Sequence, residues 1–424
     1  MSQQKNKLNL LLGWHLNQPS MPCLVSVENL NYHTAILAQS GSGKSFMVGR
    51  YLEELLICTQ AKVVIFDPNG DFRYFNKVDT QYWNASKKAK FFGKFDDYKR
   101  NKKRLFKKGW ETVHIQSYKG KPIIHFCSIP ISDQLKIISN TNDETIYTTA
   151  KGIIENLEGT GKYYKRQKVG NTLLGELEKQ PTIFAQASER LKLLDTYSIW
   201  INNKRKPDIM NLMDYYKDTN HWRAVIFDFP SYKNREEQMI LTHYCLDTLW
   251  NVAVKRWEEA MQAKAKKKKG DEVKRIPLYI VLDEAHNFLS DNPEGPWSAS
   301  INEKVTRIAA EGRKYGLFLI ISTQRPSKVP SKILSECDNI CLLRLNSSKE
   351  RKQVADLWGI PQATINQVMH FRGPGDCLLF GRWVPSLYAM HAICRRTMEG
   401  GANLEDDWQK PEVDCQILFE EYDK

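Results

Sequence analysis

The chain has 424 residues and a formal net charge of +13 at pH 7, with 42% hydrophobic and 26% charged residues. This composition excludes a generally disordered chain, and the length allows a large buried core, so we expect one large α/β domain with an accessory part. The basic balance favours an anionic partner such as nucleic acid, although lysine-rich surface loops give the same sum.

The cysteines and the apolar segments indicate the compartment. Nine cysteines are scattered along the chain without a C-x-x-C pair or a histidine at zinc-ligand spacing. We therefore expect reduced thiols and a cytoplasmic location. The apolar run 8–14 (LNLLLGW) is too short for a signal sequence, and no stretch reaches the roughly 18 apolar residues of a membrane span. We expect a soluble protein that has no membrane partner.

The first 30 residues are predicted to be a lead-in segment. They contain Pro19, Pro22 and the short apolar run CLVSV, which is typical of a strand or two. A complete N-terminal domain does not fit in this length.

Residues 35–46 (AILAQSGSGKSF) predict a strand, a phosphate-binding loop and a helix. Gly41 and Gly43 allow the backbone to bend so that successive N–H groups point at a β-phosphate. Lys44 supplies charge for the β- and γ-phosphates, and the Ser45 hydroxyl is the natural Mg²⁺ ligand. The predicted nucleotide-binding residues are Ser40, Gly41, Ser42, Gly43, Lys44, Ser45 and Phe46.

One position departs from the usual phosphate-loop pattern. Ala38 stands where G-x-x-x-x-G-K-[ST] has its first glycine. A turn that keeps φ negative accepts alanine, so the match is weakened without being broken. The alternative is a chance Gly/Ser turn, and two later stretches reduce its weight.

The next apolar stretch, 62–66 (KVVIF), is predicted to be a buried strand followed by DPNGDF. Asp67, Asn69 and Asp71 would then lie at the carboxyl end of a strand, where α/β sheets bind their ligands. An ordinary Asp-Pro-Asn-Gly turn explains the same residues equally well.

Three segments are defined by composition. Residues 87–108 carry eleven basic residues among five aromatic ones, a mixture that suits a nucleic-acid strand. An amphipathic helix explains the mixture too, and we favour it. Residues 130–221 have a helix-forming composition with glycine breaks and predict a helical insertion. The lysine run 264–275 is interpreted as a solvated loop.

The second half of the chain contains further buried strands with polar ends. Residues 222–229 (WRAVIFDF) predict a strand that precedes a long helix, and 277–288 (PLYIVLDEAHNF) predict a strand that ends at Asp283 and Glu284. Asp283 would hold Mg²⁺ through water, and Glu284 would orient and polarise the attacking water. DEAH alone is a weak signal, but behind a buried strand and paired with the glycine-rich loop it is strong.

A helix over 304–314, which carries Arg307 and Arg313, is predicted to precede the buried strand 317–322 (LFLIIS). Gln324 follows that strand and can sense the γ-phosphate, whereas the structural alternative is a helix N-cap turn before Pro326. Three more strands are predicted, at NICLLRL, DCLLFG and SLYAMHAI.

In combination these stretches resemble the HerA/FtsK branch of phosphate-loop ATPases, and HerA-type DNA translocases most of all. The block 307–345 is the most specific and separates the chain from DEAH-box helicases. The resemblance covers 31–75 and 222–408, while residues 1–30 are too few for the family's N-terminal β-barrel domain. The matching segments are AILAQSGSGKS, VVIFDPNGDF, VLDEAHNF, RIAAEGRKYGLFLIISTQRPSKVPSKILSECDNICLLRL and EGGANLEDDW.

The resemblance implies an α/β fold, namely a RecA-like P-loop NTPase core over 31–129 and 222–400, with a helical insertion at 130–221 and a C-terminal tail at 401–424. It leaves the structure of 76–129 open. It also implies a hexameric ring that binds ATP and Mg²⁺ between subunits, encloses duplex DNA and works with a nuclease or another effector. End processing and defence against phage are the settings of such proteins.

Site roles follow from the same resemblance. Lys44 and Ser45 would bind phosphate and metal, Asp283 and Glu284 would be the Walker B pair, and Gln324 would be the sensor. An arginine in RIAAEGRK would reach into the neighbouring subunit's site, with Arg313 preferred and Arg307 second.

The function predicted from the sequence is an ATP-hydrolysing DNA translocase or helicase. Two alternatives stay open, a secretion- or conjugation-type translocating ATPase and an ATP-dependent scaffold that holds an effector in an assembled state.

Overall fold

A computed structural model describes residues 9–79, 109–139 without 122, 127 and 128, the positions 148, 151–152, 155, 192–194 and 196–201, and residues 222–265, 275–393 and 395–400. The basic segment 87–108, most of the insertion predicted at 130–221, most of 264–275 and the tail 401–424 lie outside these residues.

One sheet of eleven strands forms the centre of the described fold. The strand order is β2-β1-β11-β10-β9-β3-β8-β7-β4-β6-β5. In chain order the strands are β1 (Asn9–His15), β2 (Gln18–Ser26), β3 (His33–Leu37), β4 (Lys62–Asp67), β5 (Ile115–Tyr118), β6 (Ala224–Asp228), β7 (Leu278–Leu282), β8 (Leu317–Thr323), β9 (Cys337–Leu343), β10 (Asp376–Gly381) and β11 (Tyr388–Ala392).

The sheet is mostly parallel. The strands from β9 to β5 in this order pair in parallel throughout. The strands from β9 to β2 pair antiparallel. Every residue of β3, β4, β6, β7 and β8 is buried, as expected where both faces of a parallel sheet are covered. The predicted α/β fold with a mostly parallel sheet is confirmed.

Successive residues of the central strands point into two separate cores, because side chains alternate between the faces of a strand. Along β3, Ile36 belongs to one core, while Ala35 and Leu37 belong to the other. Helix 44–58 packs into the core that contains Ile36, and helices 235–265 and 295–315 pack into the core that contains Ala35 and Leu37. The helices are α1 (Lys44–Cys58), α2 (Ile131–Ser139), α3 (Arg235–Ala265), α4 (Gly295–Tyr315), α5 (Ser331–Leu334), α6 (Ser348–Trp358) and α7 (Gln362–Asn366).

Two outer parts of the sheet come from segments that the sequence described only in outline. The β1-β2 hairpin, from the stretch predicted to be a lead-in, joins the sheet through β11. Strand β5 comes from residues 76–129, whose structure the sequence left undecided, and it pairs with β6 at the other edge of the sheet. The predicted strands at DCLLFG and SLYAMHAI are confirmed as β10 and β11. Within the described part of the chain, no helix combines the length and the apolar character needed to cross a bilayer.

Candidate nucleotide-binding site

Four neighbouring strands, in the order β3, β8, β7 and β4, end at one edge of the sheet. Because they run in parallel, the segments that follow them meet at this edge. The glycine-rich loop follows β3, Gln324 follows β8, Asp283 and Glu284 follow β7, and Asp67 ends β4. The structure thus gathers residues that are nearly 300 positions apart in the sequence.

The glycine-rich loop turns through two left-handed residues before α1 begins. Gly41 has φ +74° and Gly43 has φ +88°, conformations that glycine adopts without a steric penalty. The Ser42 hydroxyl donates to Gln39 O at 2.6 Å and closes the turn. Among the described residues Glu284 alone has a positive φ without being glycine, so Ala38 keeps the negative φ that the sequence analysis required.

The remaining predicted loop residues differ in exposure. Ser40 and Gly41 form the exposed tip, whereas Phe46 is half-buried and packs against the core on the α1 side of the sheet. The loop also touches a second segment, since Gly375 N donates to Ser42 O at 3.0 Å. A Cβ atom on Gly43 would lie 2.8 Å from Gly375 N, so the close approach of the two backbones requires glycine there.

Lys44 is the first residue of α1, and its ammonium is buried among polar side chains at the ends of β7 and β8. Its Nζ lies 2.5 Å from Asp283 Oδ1, 3.0 Å from Ser322 Oγ and 3.3 Å from Glu284 Oε1. Burial opposes the charged form, but the carboxylates of Asp283 and Glu284 outweigh it and raise the pKa of Lys44. The other oxygen of Asp283, Oδ2, is buried without a hydrogen-bond partner in the described part of the chain.

Glu284 and Gln324 contact each other directly. Gln324 Nε2 donates to Glu284 Oε1 at 2.5 Å, and Gln324 N donates to Oε2 at 3.3 Å. The backbone of Glu284 is left-handed, with φ 45°, which is unfavourable for a residue with a side chain. Gln324 is therefore part of the same cluster as Glu284, which is the arrangement a γ-phosphate sensor needs.

His286 is a further neighbour of Glu284. Its Nδ1 lies 3.4 Å from Glu284 Oε2 and 3.1 Å from Thr323 Oγ1. Burial lowers the pKa of His286, and Arg325 and Lys44 lower it further, against the opposite effect of Glu284. The imidazole is accordingly neutral at physiological pH, and its hydrogen bond with Thr323 Oγ1 holds it beside Glu284. The sequence analysis had not assigned it a role.

The turn after β4 separates the two interpretations that the sequence left open. Asp67 is fully buried, and its carboxylate accepts from Gly70 N at 2.8 Å, Asp71 N at 3.1 Å and Phe72 N at 2.8 Å. Burial raises the pKa of Asp67 to about 7, although these N–H groups favour the ionised form. Asp67 therefore stabilises the turn.

Asp71 has a different position from Asp67. Its Oδ2 accepts a hydrogen bond from the Ser45 hydroxyl, the predicted metal ligand. Asn69 is exposed and has neither role. One of the three residues thus forms the turn and another faces the site. Only the second interaction required knowledge of the tertiary structure, because no sequence pattern connects Asp71 to Ser45.

Two arginines predicted for catalysis lie elsewhere. Helix α4 ends one residue before β8 begins, so Arg313 near its end is at the amino edge of the sheet, opposite Lys44. The Arg313 guanidinium is 4.3 Å from the centre of the Tyr32 ring, and its side chain is 51% exposed. Arg307 lies over the Trp250 ring at 4.2 Å. The structure does not bring either arginine to the pocket of its own chain.

The oxygen atoms in the pocket suit a hard cation. The Ser45 hydroxyl, the Asp71 carboxylate and the unpaired Oδ2 of Asp283 are the ligand types that Mg²⁺ prefers, and Mg²⁺ takes its other ligands from phosphate and water. Across the described ranges no group of three or more His, Cys, Asp or Glu residues could hold a metal ion unaided. The residues present fit a magnesium ion that arrives with a nucleotide.

Comparison with known proteins gives a consistent result. Residues 10–247 match the family described as "Helicase HerA, central domain". The DNA double-strand break repair helicase HerA of Sulfurisphaera tokodaii is 21% identical over 402 residues, which cover 92% of this chain and 71% of that protein. The corresponding helicase of Pyrococcus furiosus is 23% identical over 383 residues, or 81% of this chain and 62% of that protein.

A solved structure shows the same fold. VirB4 of Thermoanaerobacter pseudethanolicus superposes with a TM-score of 0.54 at 14% identity, covering 91% of this chain and 96% of that one. At this identity the likeness concerns the arrangement of helices and strands alone.

Proposed function

Since the chain belongs to the family of the HerA helicase central domain and is an ATPase of that class, we propose that it is a ring-forming motor that moves along duplex DNA. The observation that carries the proposal is the convergence of Lys44, Asp283, Glu284 and Gln324 at one edge of the sheet. A phosphate loop and a Walker B pair in mutual contact are the parts that ATP hydrolysis requires.

Each residue of the cluster has a distinct task in hydrolysis. ATP supplies the transferred phosphoryl group, and Mg²⁺ neutralises the charge that develops on it. Lys44, which is bonded to Asp283 and close to Glu284, would exchange these carboxylates for phosphate oxygens. Ser45 and Asp283 would hold the metal, the second through water. These roles place the phosphates over the first turn of α1.

Glu284 would orient the attacking water and accept its proton. A carboxylate in this role must be held still, and Gln324 donates to both of its oxygens while His286 Nδ1 lies 3.4 Å from Oε2. Gln324 also projects from the end of β8, so a change at the γ-phosphate reaches it through Glu284. We propose that this pair connects hydrolysis to movement of the chain after β8.

We propose that Arg313 completes the site of a neighbouring subunit. It lies at the sheet edge opposite its own pocket and is half exposed, so another copy can approach it. In a ring of six copies with ATP between adjacent subunits, the pocket edge of each sheet faces the Arg313 edge of the next subunit. Arg307 is the second choice, and its contact with Trp250 holds it to its own α3.

Mixed rings test this arrangement. Neither a Glu284→Gln chain nor an Arg313→Ala chain is expected to hydrolyse ATP by itself. When the two are mixed, some interfaces combine an intact Glu284 with an intact Arg313, and hydrolysis is expected to recover partially. An Arg307→Ala chain is the matched control and should retain activity without mixing. Failure to recover at every mixing ratio would contradict a role of Arg313 in trans.

The proposal for DNA has its own test. A net charge of +13 favours duplex DNA, so linear duplex should stimulate hydrolysis, and the stimulation should weaken as salt rises because counterions are released on binding. Hydrolysis that ignores DNA would contradict a DNA motor. It would favour a translocating ATPase of the secretion type or a scaffold for an effector.

We further propose that the ring works in the cytoplasm with a nuclease or another effector, in DNA end processing or in defence against phage. The support is the name of the related proteins, which are described as double-strand break repair helicases. Co-purification of a nuclease with the tagged chain would show that the association exists. Loss of the nuclease from the Glu284→Gln variant would show that the association depends on hydrolysis, and its retention would show that it does not.

A further inference from the structure

Arg395 is a buried cation behind the first turn of α1. Arg395 is only 3% exposed, and its guanidinium lies 5.2 Å from the centre of the Phe72 ring and 5.4 Å from the centre of the Phe75 ring. It belongs to the segment 395–400, which follows β11 at the far end of the sequence. The last segment that resembles the HerA family begins four residues later, at Glu399, and no sequence motif includes Arg395.

The bonds of Arg395 converge on the metal side of the proposed site. Nη1 donates to Ser45 O at 3.4 Å, and Nη2 donates to Asp71 O at 3.4 Å. These carbonyl groups belong to the two residues whose side chains are bonded to each other through the Ser45 hydroxyl. One guanidinium therefore fixes the distance between the first turn of α1 and the turn after β4.

The guanidinium is itself held by its own segment. Nη2 donates to Met398 O at 3.1 Å, and Nε donates to Thr397 Oγ1 at 3.0 Å. Thr397 is anchored in turn, since its hydroxyl and its N–H both bond to Glu53 Oε1 of α1 at 2.7 Å. These contacts orient the Arg395 guanidinium toward Ser45 and Asp71.

Two glycines show how closely the segment fits. A Cβ on Gly400 would lie 1.9 Å from Gly70 O, and a Cβ on Gly49 would lie 2.5 Å from Arg395 Nε. Gly400 N also donates to Asp71 O at 2.9 Å. A contact this close across three segments transmits any shift of Arg395 to the turn that carries Asp71.

We propose that Arg395 is a positioning residue for magnesium, because it holds Ser45 next to Asp71, whose carboxylate orients the Ser45 hydroxyl. The inference rests on the proposed nucleotide site. In this arrangement the Ser45 hydroxyl binds the metal and Asp71 orients that hydroxyl, while Arg395 touches neither ion nor phosphate. Groups that orient metal ligands from behind change metal affinity by about 10- to 100-fold when they are lost.

The alternative is that Arg395 only stabilises the fold. A matched arginine separates the two roles. Arg223 donates to Leu56 O at 2.9 Å, to Thr59 O at 2.7 Å and to Ala61 O at 3.1 Å. Arg223 therefore also binds backbone carbonyl groups, but at the carboxyl end of α1, away from Ser45.

The experiment compares Arg395→Lys with Arg223→Lys in the full chain. A lysine retains the charge but offers one ammonium in place of the planar fork whose separate nitrogens bond the two carbonyl groups. Binding of a non-hydrolysable fluorescent ATP analogue is titrated with Mg²⁺, alongside binding without metal and the thermal midpoint. We expect Arg395→Lys to need about tenfold more Mg²⁺ for half of the metal-dependent increase in affinity, with metal-free binding within about twofold of the original chain. Arg223→Lys should lower the midpoint without changing the Mg²⁺ requirement.

Equal Mg²⁺ requirements in the two variants would overturn the inference and leave the proposed function intact. An original chain whose nucleotide affinity does not respond to Mg²⁺ would overturn both. Should Arg395→Lys fail to fold, Thr397→Val takes its place, because it removes one bond that orients the guanidinium. It should shift the Mg²⁺ requirement in the same direction by a smaller factor, and no shift would count against the positioning role.

Discussion

Lys44 Nζ donates to Asp283 Oδ1 at 2.5 Å, and both residues are almost completely buried. Lys44 begins α1 after the loop that follows β3, and Asp283 follows β7; β8 lies between these two strands in the sheet. Ser322 of β8 bridges them, since its hydroxyl bonds to the same carboxylate oxygen at 2.6 Å. The ion pair thus connects the start of α1 to the end of β7 through β8, the strand that lies between them.

This pair predicts a non-additive double mutant. Lys44→Met should lower the free energy of unfolding by about 3–5 kcal/mol, because it leaves the buried Asp283 carboxylate without its cation. Adding Asp283→Asn to Lys44→Met should cost less than Asp283→Asn costs alone, since the second change removes the unpaired charge. Urea denaturation of the four chains measures the cycle. Additive effects would show that the two residues do not interact.

Glu284→Gln is predicted to separate hydrolysis from binding. The amide oxygen can still accept from Gln324 Nε2, so the pocket and nucleotide affinity should be retained. The amide cannot accept a proton from water, and phosphate release at saturating ATP should fall by about 10²- to 10⁴-fold. Glu294→Gln, an exposed change at the start of α4, is the control and should retain full activity. A Glu284→Gln chain with more than a tenth of the original rate would contradict the assignment.

Gly41→Ala and Gly43→Ala form a matched pair. Both glycines are left-handed, which costs an alanine about 1–2 kcal/mol. At Gly41 the added Cβ meets nothing within 4 Å, whereas at Gly43 it lies 2.8 Å from Gly375 N. Gly43→Ala should therefore cost about 1–3 kcal/mol more in urea denaturation, and it alone should weaken nucleotide binding strongly. Equal effects of the two substitutions would indicate that the 372–375 segment yields without cost.

His33 gives a prediction for pH. Burial lowers its pKa from 6.5 to about 4, and its Nδ1 accepts from Leu319 N at 2.8 Å, which requires an unprotonated nitrogen. A depressed histidine pKa means that its stability contribution is complete above pH 6.5 and is lost as the pH falls toward 4. Between pH 7 and pH 5 the loss should be about 2 kcal/mol.

The control for this prediction is His33→Asn, whose Oδ1 can accept from Leu319 N without titrating. Urea denaturation at several pH values should show the original chain losing stability relative to the variant as the pH falls. Parallel profiles for the two chains would contradict the assignment to His33.

The central part of the fold was predictable because short-range patterns determine it. Wholly apolar runs such as 278–282 identify parallel strands that are buried on both faces, and the Gly-Lys-Ser sequence identifies the loop between β3 and α1. Because parallel strands end at one edge of a sheet, the proximity of Lys44, Asp283 and Gln324 could be predicted from the sequence alone.

The rest depends on contacts that leave no local pattern. The bond from Ser45 to Asp71, the approach of Gly375 to Gly43 and the bonds of Arg395 to two carbonyl groups all join distant segments. Arg395 and Arg396 look like any basic pair after a strand. Only the strand order, in which β11 and β10 lie on the β9 side of β3, brings that end of the chain to the phosphate loop.

The pairing of β1 with β11, in which Gly13 lies opposite Ala392, has a consequence for how the protein is made. The hairpin is synthesised before the other strands of the sheet, yet its place exists only after residues 388–392 have left the ribosome. Until then the strands from β3 to β8 can assemble while the hairpin lacks its partner strand, and a pairing between segments so far apart in the sequence slows folding. We therefore expect the contacts of Arg395 with Ser45 and Asp71 to form late, because this residue is synthesised after every strand that carries the pocket.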